Sequence, residues 1–308
     1  VNQKPFSDST IQPINYRQKT NQKRKEKKMR LIRYGEKGNE RPGLLIGDRI
    51  IDLREHFPQI PDIGCDFFEQ RWPERLRGLS AGGRPMVERL GAPIVRPSKI
   101  VCLGKNYAEH AKEGGFDRPE RPLLFSKAPG ALNGPFDPIL LPKSSRKIDW
   151  EVELAVVIGR QAKRVSRKEA ASVIAGFCVG NDVSGRDAQF ADSQWFRGKS
   201  FDTFAPLGPV LVTPDEIGDW HNLRLTAKVN GRVMQDGTTA DMLFDVETII
   251  EDVSCDITLE AGDVILTGTP AGVGIFRDPP VLLQAGDVVA CEIEGIGTIR
   301  NEIVDAIS

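Results

Sequence analysis

The sequence predicts an α+β protein that is mostly β, a curved mixed-sheet roll or sandwich with a small N-terminal domain. Three observations lead there. Short β-rich runs (ELAVVIG, AGFCVGNDV, GPVLVT, LRLTAKVNGRVMQ, DVILTGTP and DVVACEIEGIGTIRNEI) crowd the last two thirds of the chain. Strands that outnumber helices and do not alternate with them argue against a doubly wound sheet. Inside VNGRV, an Asn-Gly pair flanked by β-branched residues marks a two-residue hairpin. Helical periodicity is confined to RPMVERLG, YAEHAKEGG, SRKEAASVI and MLFDVETIIEDVS, and no repeat of solenoid length is visible.

Taken in order, residues 1–28 are polar and carry eight Lys/Arg against two Asp/Glu, so the net −1 of the chain leaves −7 on the remainder. Without hydrophobic periodicity this segment reads as a disordered basic tail. Met29, opening MRLIRYG, is the expected native start; deleting residues 1–28 is expected to leave activity and stability intact. Residues 29–95 form the small N-terminal domain, built from LIRYG, RPGLLIGDRIIDL and RPMVERLG. Pro93 and Pro97 bracket a linker, and residues 98–308 form the strand-rich catalytic domain. With 40% hydrophobic and 28% charged residues the composition is that of an ordinary globular protein. The acidic body argues against nucleic-acid binding; such binding through the tail would be salt-sensitive and lost with residues 1–28. No apolar run reaches the ~18 residues of a membrane span, and no signal-peptide pattern opens the chain. Five scattered cysteines without CxxC spacing suggest reduced thiols, and a cytoplasmic protein is expected.

The string IDWEVELAVVIG carries the sharpest chemical signal. Alternation in a strand sends Asp149, Glu151 and Glu153 to one face and Trp150, Val152 and Leu154 to the other. The run then enters an apolar core, where ionised carboxylates are costly unless paired or metal-bound. A hard divalent cation such as Mg²⁺ or Mn²⁺ suits such oxygen ligands; the plainer alternative is the solvent face of an edge strand. Four further elements follow the same theme. LGKNYAEHAKEGG sets His110 and Glu113 at i and i+3 on one helix face. GNDVSGRDAQ places Asp182 near a strand end, with Arg186 after a turn. RGKSFDTFAPLGP holds Lys199 and Thr203 in a loop, and TGTPAGVG offers backbone N–H groups able to hold a carboxylate.

Together the strings DWEVEL, GNDVSGRDAQ, GKSFDT and TGTPAGVG, in this order, resemble the fumarylacetoacetate hydrolase superfamily and its acylpyruvase-like branch. The resemblance is strongest from about Ile100 to the C-terminus. It implies the fold of that family's C-terminal domain. It further implies Glu151, Glu153 and Asp182 as ligands of Mg²⁺ or Mn²⁺, and Arg186, Gln189 and Thr269 as substrate-binding residues. Lys199 would stand beside the metal with Thr203 near it, and His110 and Glu113 would form the water-activating dyad. Larger members have a further aspartate ligand where this chain has Asn106, which implies three protein carboxylates.

The implied activity is divalent-metal-dependent hydrolysis of a C–C bond in a 2,4-dioxo acid, an acylpyruvate or a diketo-deoxy sugar acid, through a stabilised enolate. Oxaloacetate decarboxylation, isomerisation of an unsaturated oxo acid and ureidoglycolate lysis use the same kind of site. A non-catalytic binding protein of this fold is the competing reading from another class. A homodimer is expected, with a small-molecule oxo acid as the ligand and neither nucleic acid nor membrane as a partner.

Overall fold

A computed structural model describes residues 29–79, 83–191 and 193–306; the expected basic tail lies outside the described residues. The chain is mostly β, as expected, in two principal mixed sheets. A 12-stranded sheet runs from Arg84–Pro85 at one edge through Arg49–Asp52, Arg41–Ile46, Arg30–Tyr34, Ala205–Val212, Ile174–Asn181, Val152–Ile158, Val264–Leu266 and Ile100–Gly104 to Leu123–Lys127. The five-stranded sheet comprises Arg232–Thr238, Arg224–Val229, Val288–Ile293, Gly297–Asp305 and Ile139–Leu141. The N-terminal strands are continuous with the large sheet, because Arg30 and Leu31 pair with Val212 and Leu211.

One buried apolar cluster runs through both regions. Its centre is the strand Val152–Ile158, all of whose residues are buried. That strand pairs with Ile174–Asn181 on one side and Val264–Leu266 on the other, which rules out an exposed edge. The Asn-Gly hairpin forms as expected, joining Arg224–Val229 to Arg232–Thr238. Asn230 and Gly231 take φ of 50° and 81°, the left-handed pair that a tight hairpin of native twist requires.

The helical expectations divide. Helix Val246–Asp256 is capped by Asp245, whose carboxylate accepts from Thr248 N–H, and it buries Val246, Ile249, Ile250 and Val253 at helical spacing. Ala108–Glu113 is also helical. In contrast, RPMVERLG forms two short strands, Arg84–Pro85 and Leu90–Gly91. Arg89 there is held by Asp137 and Glu40, and Val87 is left in solvent, so tertiary ion pairing overrides the local pattern. SRKEAASVI gives only a 3₁₀ turn, Ala170–Val173, because Ile174 already enters the large sheet.

Candidate active site

The string expected as one strand is broken in the middle, and the break builds the site. Ile148–Asp149 pairs with Ser184–Gly185, and Val152 begins the core strand. Between them, side chains take over the ladder: Glu151 N–H donates to Asn181 Oδ1 and Val152 N–H to Gln235 Oε1, both at 3.0 Å. Asp182 follows the neighbouring strand, its N–H donating to Glu151 C=O at 2.9 Å. Each of Glu151, Glu153 and Asp182 offers a carboxylate oxygen, and these oxygens lie within 4.8 Å of one another in the buried interior.

The electrostatics of this cluster fit a divalent cation. Lys199 Nζ donates to Glu151 at 2.7 Å and Asp182 at 2.6 Å. Arg186 donates to Asp149 at 2.9 Å, Glu151 at 2.7 Å and Gln189 at 3.0 Å. Lys127, fully buried, donates to Asp182 and to Val183 C=O. Burial raises the Glu151 pKa, but Lys199 and Arg186 override it and hold the carboxyl far below its ordinary range. Glu153 has no cation partner among the described residues and accepts from Gly268 N–H at 2.8 Å. Burial, then Asp182 and Glu151, push its pKa well above the ordinary value. For Lys199 the two neighbouring carboxylates outweigh burial and raise the pKa, whereas burial dominates at Lys127 and lowers it.

Fully ionised, Asp149, Glu151, Glu153 and Asp182 exceed Lys127, Arg186 and Lys199 by one negative charge. A divalent ion held by Glu151, Glu153 and Asp182 would reverse that sign and make the cleft attractive to an anion.

The glycine-rich string does hold carboxylates, and they are the protein's own. Gly268 N–H serves Glu153, Gly274 and Ile275 N–H serve Asp149, and Gly272 N–H reaches both oxygens of Glu113 at 3.1 Å. Gly272 has φ +108°, and an added Cβ would lie 2.2 Å from Met234 O, so only glycine fits. Glu113 in turn stands 3.4 Å from His110 Nδ1. His110 lies against Phe276, and Phe276 against Phe116, each ring pair 6.0 Å apart. The dyad therefore sits at an aromatic wall of the cleft that contains the acidic cluster.

Most of the expected site residues meet in this cleft. His110, Glu151, Glu153, Arg186, Gln189, Lys199 and Thr269 line it, Asp182 lies beneath it, and Glu113 supports His110. Lys199 ends a short helix, Phe196–Lys199, rather than lying in a loop. The Thr269 hydroxyl is already engaged, donating to Val152 C=O and accepting from Gln235. Thr203 accepts from Leu140 N–H and lies outside the cleft lining. Asn106, at the position of the extra aspartate, is bound to Phe244 and Thr267.

Sequence reading missed Lys127, whose apolar strand LLFSK gives no hint of an ion pair, and Gln235 and Asn181, which act on backbone groups. Asp149 was visible on the right face, but its role in holding Arg186 was not. A second carboxylate–imidazole group, His221, Asp245 and Glu247, lies near the surface, where His221 bonds to Asp219 and Glu247.

The chain belongs to the fumarylacetoacetate hydrolase family, enzymes that process oxo acids, and the cleft over its buried acidic centre is the candidate active site. The family model for the fumarylacetoacetate hydrolase C-terminal domain matches residues 99–304. Among curated relatives, the mitochondrial oxaloacetate tautomerase FAHD2A of Bos taurus is 47% identical over 266 residues, covering 84% of this chain and 85% of that protein. The solved fumarylacetoacetate hydrolase from Exiguobacterium antarcticum is 39% identical with a TM-score of 0.77, covering 90% of this chain and all (100%) of that one. The 2-hydroxyhepta-2,4-diene-1,7-dioate isomerase of Mycobacterium marinum is 36% identical with a TM-score of 0.71, over 91% of this chain and 100% of that one. No helix among the described residues is long and apolar enough to cross a membrane.

Proposed function

We propose that this chain interconverts the enol and keto forms of oxaloacetate at a divalent-metal centre, Mg²⁺ or Mn²⁺. The observation that carries this reading is the 47% identity to an oxaloacetate tautomerase over 84% of the chain. Enolisation needs a charge held at the 2-oxo oxygen and a proton moved at C3, with no water consumed. A divalent ion held by Glu151, Glu153 and Asp182 would supply Lewis-acid stabilisation of the enolate oxygen. Arg186 and Lys199 add fixed positive charge beside it, and Gln189 orients the head of the acid. His110 exchanges the C3 proton through Nε2, which has no partner among the described residues. Glu113, pinned by Gly272 N–H, fixes the imidazole tautomer and steadies its cation. Phe116 and Phe276 keep water from the enolate.

Hydrolysis of a C–C bond in a 2,4-dioxo acid is the second reading. It is favoured by the same His110–Glu113 contact, which suits water activation as well as proton exchange at carbon. Enol-oxaloacetate followed by ultraviolet absorbance, with products identified by NMR, separates the two. Accelerated ketonisation with all carbons retained supports the tautomerase. Background ketonisation beside release of pyruvate from acetylpyruvate or fumarylpyruvate would replace it with the hydrolase.

A further inference from the structure

Lys105 is a cation in the cleft that the metal centre and the dyad leave unused. It follows the strand Ile100–Gly104 and lines the same cleft as His110 and Glu151. The other two cleft cations are committed: Arg186 to Asp149, Glu151 and Gln189, and Lys199 to Glu151 and Asp182. Lys105 has no ion pair or hydrogen bond among the described residues. Its one polar contact is a cation–π approach, with Nζ 4.2 Å from the Phe116 ring centroid.

The backbone here is unusual as well. Lys105 has φ +59°, a left-handed conformation that costs a non-glycine residue about 1–2 kcal/mol and recurs at functional sites. The turn comes directly after Gly104, where an added Cβ would stand 2.7 Å from the Trp195 ring. A tightly packed, strained turn thus holds a half-buried lysine at the cleft.

We infer that Lys105 binds a second anionic group at the far end of the substrate, so that the site selects dicarboxylic 2-oxo acids. The head of the acid engages the acidic centre with Arg186 and Gln189, and the distal carboxylate replaces the Phe116 ring as the partner of Lys105. This inference rests on the oxo-acid reading above and extends it from the head of the substrate to its tail.

Calorimetric titration of the metal-loaded protein tests it without turnover. Two ligands serve, oxalate, which offers only a head, and 3,3-difluoro-oxaloacetate, which has the second carboxylate and cannot enolise. In Lys105→Gln, difluoro-oxaloacetate should bind roughly tenfold or more weakly, the worth of one charge-assisted hydrogen bond, with oxalate shifted less than about threefold. Lys105→Arg should recover most of the loss. Equal shifts for both ligands, or none, would overturn the inference and leave Lys105 as a loop residue. If the selectivity is lost as expected but wild-type protein does not turn over oxaloacetate, the tautomerase reading fails while the tail site stands.

Discussion

Replacing Lys199 with Met isolates the electrostatic design of the site. The side chain is 2% exposed and bridges Glu151 and Asp182 at 2.7 and 2.6 Å. Methionine keeps much of the volume and removes the charge, so two buried carboxylates lose a common partner. Breaking a buried ion pair from one side costs about 3–5 kcal/mol. At roughly 2–4 °C per kcal/mol for a chain of this size, metal-free protein should melt about 6–20 °C lower. A bound divalent ion takes over the charge compensation, so the loss in Mn²⁺-loaded protein should be less than half as large. Thermal denaturation followed by circular dichroism, in chelator and then in saturating Mn²⁺, reads both numbers. Equal losses in the two states would refute the reasoning, because Lys199 would then stabilise the fold independently of the acidic cluster.

Three further predictions follow from the same geometry. Burial and the nearby Asp182 and Glu151 raise the Glu153 pKa, so the folded protein retains this proton at pH values where the unfolded chain has released it. This group therefore makes metal-free stability fall as pH rises above the ordinary carboxylate range. Glu153→Gln should flatten that slope and abolish Mn²⁺ uptake in equilibrium dialysis; an unchanged slope would place the raised pKa elsewhere. His110→Ala should lower kcat by roughly 10²–10⁴-fold while leaving Mn²⁺ affinity intact; a parallel loss of metal would mean that the histidine serves the acidic centre instead. Gly272→Ala forces a Cβ to within 2.2 Å of Met234 O, so it should displace the loop and free Glu113. Its signature is a destabilisation of about 1–3 kcal/mol with a fall in kcat larger than the change in Mn²⁺ affinity; wild-type kcat would show that the Gly272 anchor does not matter to the dyad.

How much was legible in the sequence follows from the kind of interaction involved. Glu151 and Glu153 stood out because acidic residues at the mouth of an apolar run violate the usual pattern of burial, whereas Asp182 joined them only through the resemblance carried by the whole motif set. The Asn230–Gly231 hairpin and the Asp245-capped helix were readable because their signals are local. RPMVERLG misled because Arg89 is captured by Asp137 and Glu40, a long-range pairing that no window of sequence contains. The break at Trp150–Glu151 was hidden for the same reason: it depends on Asn181 and Gln235, which are remote in the chain. The glycine-rich string announced anion binding correctly, but which anions it holds emerged only when Glu113, Asp149 and Glu153 were placed around it.

The most direct test of the metal-centred mechanism is ketonisation of enol-oxaloacetate by protein stripped of metal and then reconstituted with Mg²⁺ or Mn²⁺. The mechanism predicts a background rate after stripping, recovery on reconstitution in wild type, and no recovery in Glu151→Gln or Glu153→Gln. Full activity in the stripped protein, or recovery in either variant, would contradict it.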